Sequence, residues 1–273
     1  MKPEFSKHKK KHKKIQKRLL LMLNGVLLLA LVVSSIHLII TYTSYQRSAK
    51  AYQSLNEAAL STPTPSPASQ VDDASPSPEV QIEVPVTINW TTLRDQNKEI
   101  VAWLYCQDTP INYPVTQSDN NSYYLTHNAS KQKDEAGSLF LDCRNDIGPG
   151  AANIIIYGHR RNDRSMFGSL VKFSDQKYLA KHPNMFLLTP EHSYLVELFA
   201  CRTVHGTEKN FETQFDQETR FLSYVNKAIN QSYWPTQIQI SAEDTILTLA
   251  TCSRYDGADG ARLLLHGKLV PID

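Results

Sequence analysis

The chain has little cysteine and nowhere gathers it. Cys106, Cys143, Cys201 and Cys252 are the only four in 273 residues, and no two are spaced CxxC. Beyond residue 42 no Cys/His cluster has the spacing of a zinc site, so neither metal nor cofactor is expected. A folded part of roughly 180–190 residues buries about 70% of its unfolded surface, so the even cysteine count does not call for disulfide staples. Cys106, Cys143 and Cys201 lie within or at the ends of apolar runs and read as packing residues. Net positive charge is also missing beyond the first 18 residues. Nine of the 29 Lys and Arg fall in residues 1–18 beside one acid, Glu4, leaving 20 basic against 26 acidic residues, a net of −6. That balance argues against nucleic acid as a partner. No internal repeat is present.

The basic block precedes LLLMLNGVLLLALVVSSIHLII, residues 19–40, in which no residue carries a formal charge. At 1.5 Å per residue this run would span about 33 Å, enough for the hydrocarbon core of a bilayer. It is longer than the roughly 7–15 apolar residues of a cleaved signal peptide, and the only small-residue site, Ser48 to Ala51, lies well downstream. The expectation is an uncleaved signal-anchor over residues 19–42, with a basic cytoplasmic tail over 1–18 and the remainder outside the cell. Residues 43–60 could form a short polar helix. STPTPSPASQVDDASPSPEV, residues 61–80, is too rich in proline and serine to pack, and 43–85 reads as an extracellular linker.

From residue 86 the pattern becomes that of a folded domain, expected over 86–273. TINWTTLRDQNKEI (87–100) predicts a short helix capped by Asn89. Strands are predicted at VAWLYC, INYPVTQ, GSLFLDC, NIIIYGH, MFLLT, YLVELFACRTV, TQIQIS, TILTLAT and ARLLLHGKLV. Residues 215–233 place Phe221, Leu222, Val225 and Ile229 on one helical face. Many short strands with few helices indicate a β-barrel or sandwich with helical insertions.

Cys252 ends the apolar run TLATC, and Arg262 follows ten residues later across a Gly/Asp-rich loop. A nucleophilic cysteine needs a base, and His127, His159 and His266 are the histidines placed to serve. His159 emerges where a buried strand runs out, with Gly158 before it to turn the backbone. His266 shares a strand face with Arg262 and Leu264. Pattern alone does not separate His159 from His266.

YGH (157–159) followed by SMFGSL (165–170), together with TLATC and the later arginine, resembles the sortases, and class B sortases most closely. NKEIVAWL (97–104), INYPVTQSDNNSYYLTH (111–127), GSLFLDCRND (137–146), NIIIYGH (153–159) and TLATCSRYDGADGARLLLHGKLV (248–270) stand in the order of that family. The resemblance implies an eight-stranded sortase barrel with N-terminal helices and a helical insertion before the last two strands. It also implies a membrane-anchored cysteine transpeptidase on the surface of a Gram-positive cell. Cys252 would be the nucleophile, His159 the general acid/base and Arg262 the third catalytic residue, while Asn121, Leu125, Tyr157 and Thr251 would line the substrate groove. The partners implied are exported proteins bearing a sorting motif, and an amine of a peptidoglycan precursor or a pilin. Ala250 stands where class B members often carry serine.

Those residue types suit amide exchange. A thioester splits the reaction into two lower barriers, and the attacking species is a thiolate. An imidazole can protonate the departing amine and deprotonate the incoming one. Arginine stays charged at any ordinary pH, so its forked donors suit an oxyanion or a substrate backbone. The rival readings are a papain-like hydrolase and a catalytically silent scaffold with the same fold. In this chain the cysteine follows the histidine, against the papain order.

Overall fold

The computed structural model describes residues 4–61, 84–148, 150–205, 211–252 and 260–272. The proline-rich stretch at 62–83 and the loop at 253–259 fall outside the described residues. Two compact units divide the chain at Arg47/Ser48. Helix α1 runs Glu4–Ala59. In the first unit its large apolar side chains, Leu19 to Tyr42, are exposed, on a helix long and apolar enough to cross a membrane.

In the second unit Ser48, Tyr52, Leu55 and Ala59, on one face of the last turns of α1, are buried. Strand β1 (Leu60–Ser61) then pairs antiparallel with β2 (Thr87–Ile88). Helix α2 (Trp90–Gln96) starts where expected, with the Asn89 carboxamide accepting from the Thr92 amide at 3.0 Å.

Eight strands close the barrel: β3 (Ile100–Tyr105), β4 (Asn112–Thr116), β5 (Leu139–Leu141), β6 (Asn153–His159), β7 (Asn184–Leu188), β8 (Ser193–Val204), β9 (Ile246–Cys252) and β10 (Arg262–Pro271). Their order is β10-β8-β7-β3-β4-β5-β6-β9, with β9 returning to β10. Pairing is antiparallel except at β4–β5 and β6–β9, which run parallel. One continuous apolar core includes Trp103, Leu104, Leu139, Ile154, Ile156, Leu247 and Leu265.

Helix α3 (Gln176–Lys181) follows a 3-10 segment, Phe167–Ser174. Helix α4 (Glu218–Asn230) lies before β9, as the insertion was expected to. Its buried face is Phe221, Tyr224, Val225 and Ala228, whereas Leu222 and Ile229 are only partly covered. The face is rotated from the predicted one because Tyr224 turns inward, where its hydroxyl meets the Asn153 carboxamide at 3.4 Å.

Two expectations are corrected. TQIQIS forms no strand: both edges of β9 are already taken by β6 and β10, so the segment packs Ile238 and Ile240 against the α4 layer instead. Cys143 is exposed rather than packed, because β5 ends at Leu141 and the chain turns outward, while Cys106 and Cys201 are buried as free thiols. Burial pushes Cys106 up to about 11 and Cys201 up to about 12, so both stay protonated.

Gly168 sits in the first turn of the 3-10 segment, where a Cβ would lie 2.3 Å from the Arg161 carbonyl oxygen. Backbone cannot move aside as a side-chain tip can. Gly168→Ala should therefore destabilise the protein by about 1–3 kcal/mol, read as a lower urea midpoint; an unchanged midpoint would show that this turn yields freely.

Candidate active site

Strand β6, NIIIYGH, is buried along its whole length, as expected of a β-branched run flanked by strands on both sides. Its parallel neighbour β9 ends in register with it: Tyr157 pairs with Ala250, Gly158 with Thr251 and His159 with Cys252. The two strands thus deliver His159 and Cys252 to the same rim of the barrel. Strand β10 opens with Arg262, two residues before Leu264, which pairs with Ala250. The Leu263 amide donates to Thr251 Oγ1 at 2.9 Å, closing β10 onto β9 beside that rim.

His159 is 4% exposed, and its Nε2 lies 2.7 Å from the Leu125 carbonyl oxygen. A carbonyl only accepts, so Nε2 carries a proton in this contact. Gly158 serves packing rather than a turn. It lies within β6, and a Cβ there would come within 2.9 Å of the Leu139 side chain and the Phe167 ring.

The guanidinium of Arg262 lies 5.1 Å from the centre of the Phe211 ring, a cation–π contact. Phe211 also packs on Tyr157, ring centres 5.8 Å apart, and Tyr157 on Phe140 at 5.3 Å. Leu125 joins the same apolar cluster. Of the predicted groove residues, Leu125 and Tyr157 therefore stand together. Asn121 holds the loop to the end of β5 by accepting from the Cys143 amide at 2.8 Å. Thr251 is buried, its hydroxyl committed to Leu263.

Phe211 and an ion pair with a buried carboxylate escaped the sequence reading. The Asp142 carboxylate has no exposed side-chain surface; it accepts from Arg144 at 2.8 and 2.7 Å and from the Tyr157 hydroxyl at 2.9 Å. Burial by itself would raise its pKa. The hydrogen bonds from Arg144, Tyr157 and Asn121 outweigh that and hold it at about 2. Arg144 also donates to the Phe211 carbonyl at 2.9 Å, so the pair anchors the ring beneath Arg262. Only the DCR run hinted at this, since nothing local marks which carboxylate will be buried.

The other two histidines lie elsewhere. His127 stacks on Tyr123, ring centres 4.1 Å apart, with Nδ1 2.9 Å from the Tyr123 carbonyl oxygen. His266 is fully buried beneath α4, against Phe199 and Tyr224. Arg202 Nε donates to its Nε2 at 3.4 Å, and Thr248 Oγ1 donates to Asn153 Oδ1 at 2.7 Å. The remaining contact, His266 Nδ1 to Thr248 Oγ1 at 3.0 Å, is then a donation from the ring. One neutral tautomer satisfies the whole chain. Burial first, and the Arg202 charge second, lower its pKa to about 3.

The sortase-domain family model matches residues 104–270. Sortase B of Listeria monocytogenes is 40% identical over 181 residues, 65% of this chain and 72% of the relative. This chain is a member of the sortase B family. Among solved structures, sortase B from B. anthracis in complex with AAEK1 is 32% identical, with a TM-score of 0.69 over 84% of this chain and 99% of that one. The Staphylococcus aureus sortase B–substrate complex is 25% identical, with a TM-score of 0.65 over 67% and 85%. Family membership makes the protein a cysteine transpeptidase with the eight-stranded sortase barrel.

His266 gives this sortase an acid-sensitive interior. Its depressed pKa contributes stability that is complete above the unfolded value near 6.5 and is lost as pH falls toward about 3. Over that window the loss should approach about 1.4 kcal/mol per pH unit, one proton's worth. His266→Gln should flatten this acid limb in urea unfolding measured from pH 7 to pH 4; a limb as steep as wild type would place the acid sensitivity in other groups.

Proposed function

We propose that the chain cleaves a short C-terminal sorting motif of exported proteins after its threonine and transfers the acyl group to an amine. The observation that carries this reading is the parallel register pairing of His159 with Cys252, with Arg262 opening the adjacent strand. The Cys252 thiolate attacks the scissile carbonyl, and the sulfur–carbon bond replaces the carbon–nitrogen bond. His159 hands its proton to the departing amine. The acceptor amine then attacks the thioester, His159 takes its proton, and the thiolate leaves. Arg262 faces the oxyanion formed in each step, and its stacking on Phe211 limits the orientations it can take. Asn121, Leu125, Tyr157 and Thr251 border the groove in which the motif lies.

The acceptor is the amine of a peptidoglycan precursor or of a pilin. The apolar run at 19–42 anchors the chain in the cell membrane as a single pass, with the basic residues 1–18 in the cytoplasm and the catalytic domain outside. Residues 43–85 supply the linker between anchor and catalytic domain. Donor and lipid-linked acceptor both reside at that surface, which suits an anchored enzyme.

The purified enzyme, a library of threonine-containing sorting peptides and hydroxylamine as acceptor test the chemistry together. Cys252→Ala should abolish ligated product. Arg262→Ala should lower the rate by about 10²–10³-fold, and Arg262→Lys should recover little of it, because an ammonium lacks the fork. Hydrolysis that ignores added amine would identify a hydrolase. The absence of any adduct at Cys252 would identify a scaffold.

A further inference from the structure

The last turns of α1 carry two hydroxyls on their buried face. Ser48 Oγ donates to Asp134 Oδ1 at 2.6 Å, and the Tyr52 hydroxyl donates to the Gly137 carbonyl at 2.7 Å. Burying a hydroxyl costs free energy that apolar packing avoids, so two such groups on one helix face specify a geometry rather than merely fill space. Both acceptors belong to a single turn, residues 134–137.

That turn is bonded to the segment that holds His159. The Asp134 amide donates to the Thr126 carbonyl at 2.9 Å, and the Ser138 amide donates to the Tyr124 carbonyl at 2.9 Å. Asp134 Oδ1, the oxygen that receives Ser48, also takes the Ala136 amide at 2.9 Å. Between Tyr124 and Thr126 lies Leu125, whose carbonyl accepts from His159 Nε2. Gly137 adopts φ +61, and a Cβ there would sit 2.5 Å from the Tyr124 oxygen, 3.1 Å from the Leu125 oxygen and 3.2 Å from His159 Cδ2. No side chain would fit between this turn, the imidazole and its acceptor.

A second chain of contacts links Tyr52 to the residue after His159. Its ring meets Tyr113 edge-on at 5.4 Å, and the Tyr113 hydroxyl accepts from the Met166 amide at 3.2 Å. Met166 bridges to Arg160, directly after His159.

We infer that Ser48 and Tyr52 are positioning residues for His159, setting the turn that fixes the Leu125 carbonyl and the ring it orients. The inference rests on His159 being the acid/base proposed above. It extends the working unit of the enzyme to a helix well before residue 86.

The test uses the full-length enzyme in detergent micelles, with a sorting peptide taken from the library and hydroxylamine as acceptor. Tyr52→Phe keeps the ring and removes only the hydroxyl. It should lower kcat about tenfold while KM stays within about twofold, the pattern of a misplaced catalytic group. Ser48→Ala should act in the same direction, and Ser48→Thr should restore kcat. Should Tyr52→Phe fail to fold, the Ser48 pair carries the test. A lowered melting temperature with wild-type kcat per folded molecule would overturn the inference, as would a change confined to KM. His159→Ala separates the two levels. If it keeps full kcat, the acid/base assignment fails; if it is inactive while Ser48→Ala and any folded Tyr52→Phe match wild type, only the positioning role fails.

Discussion

The parallel pairing of β6 with β9 is the constraint on which the rest depends. Parallel neighbours cannot be joined by a hairpin, so the chain leaving His159 must make a long excursion before it returns at Ile246. That excursion carries α3, β7, β8 and α4, and it brings Phe211 back to the rim of the barrel. In return, both strands end at the same height, and residues 93 positions apart in the chain become lateral neighbours. An antiparallel arrangement would have sent His159 and Cys252 to opposite rims.

Burial then gives two strand histidines opposite characters. His266 lies beneath α4 with donor and acceptor matched around a neutral ring, so its environment resists a charge. His159 ends a strand at the rim, held at one nitrogen by a backbone carbonyl. The residue type is the same, and the difference is what the neighbouring elements bring to the ring. Asp142 makes the same point for a carboxylate: burial favours its neutral form, yet Arg144 and Tyr157 hold it ionised where it braces the aromatic wall.

Support for the rim comes from far along the sequence. Asp142 and Arg144 reach Phe211, and Ser48 and Tyr52 reach the turn at 134–137. Each tie is a directional polar contact, buried at Ser48 and Tyr52, that a purely apolar packing would have left unspecified. The last turns of α1, from Ser48 to Ala59, thereby pack into the same compact unit as the barrel.

The sequence by itself determined the apolar N-terminal run, nine candidate strands of which eight form the barrel, and the family resemblance, because these signals are local: hydrophobic period, turn residues and short motifs in fixed order. It also nominated His159, Cys252 and Arg262, with the family resemblance needed to prefer His159 over His266. It could not settle that choice from pattern, since both histidines end or share an apolar strand and periodicity does not report what covers a face. TQIQIS alternates like a strand, yet only closure of the barrel decides that no edge remains for it. Exposure of Cys143, burial of Asp142, the stacking of Phe211 beneath Arg262 and the hydroxyl ties of Ser48 and Tyr52 were likewise decided by tertiary structure alone. Each depends on contacts between segments distant in the chain, which no local pattern encodes.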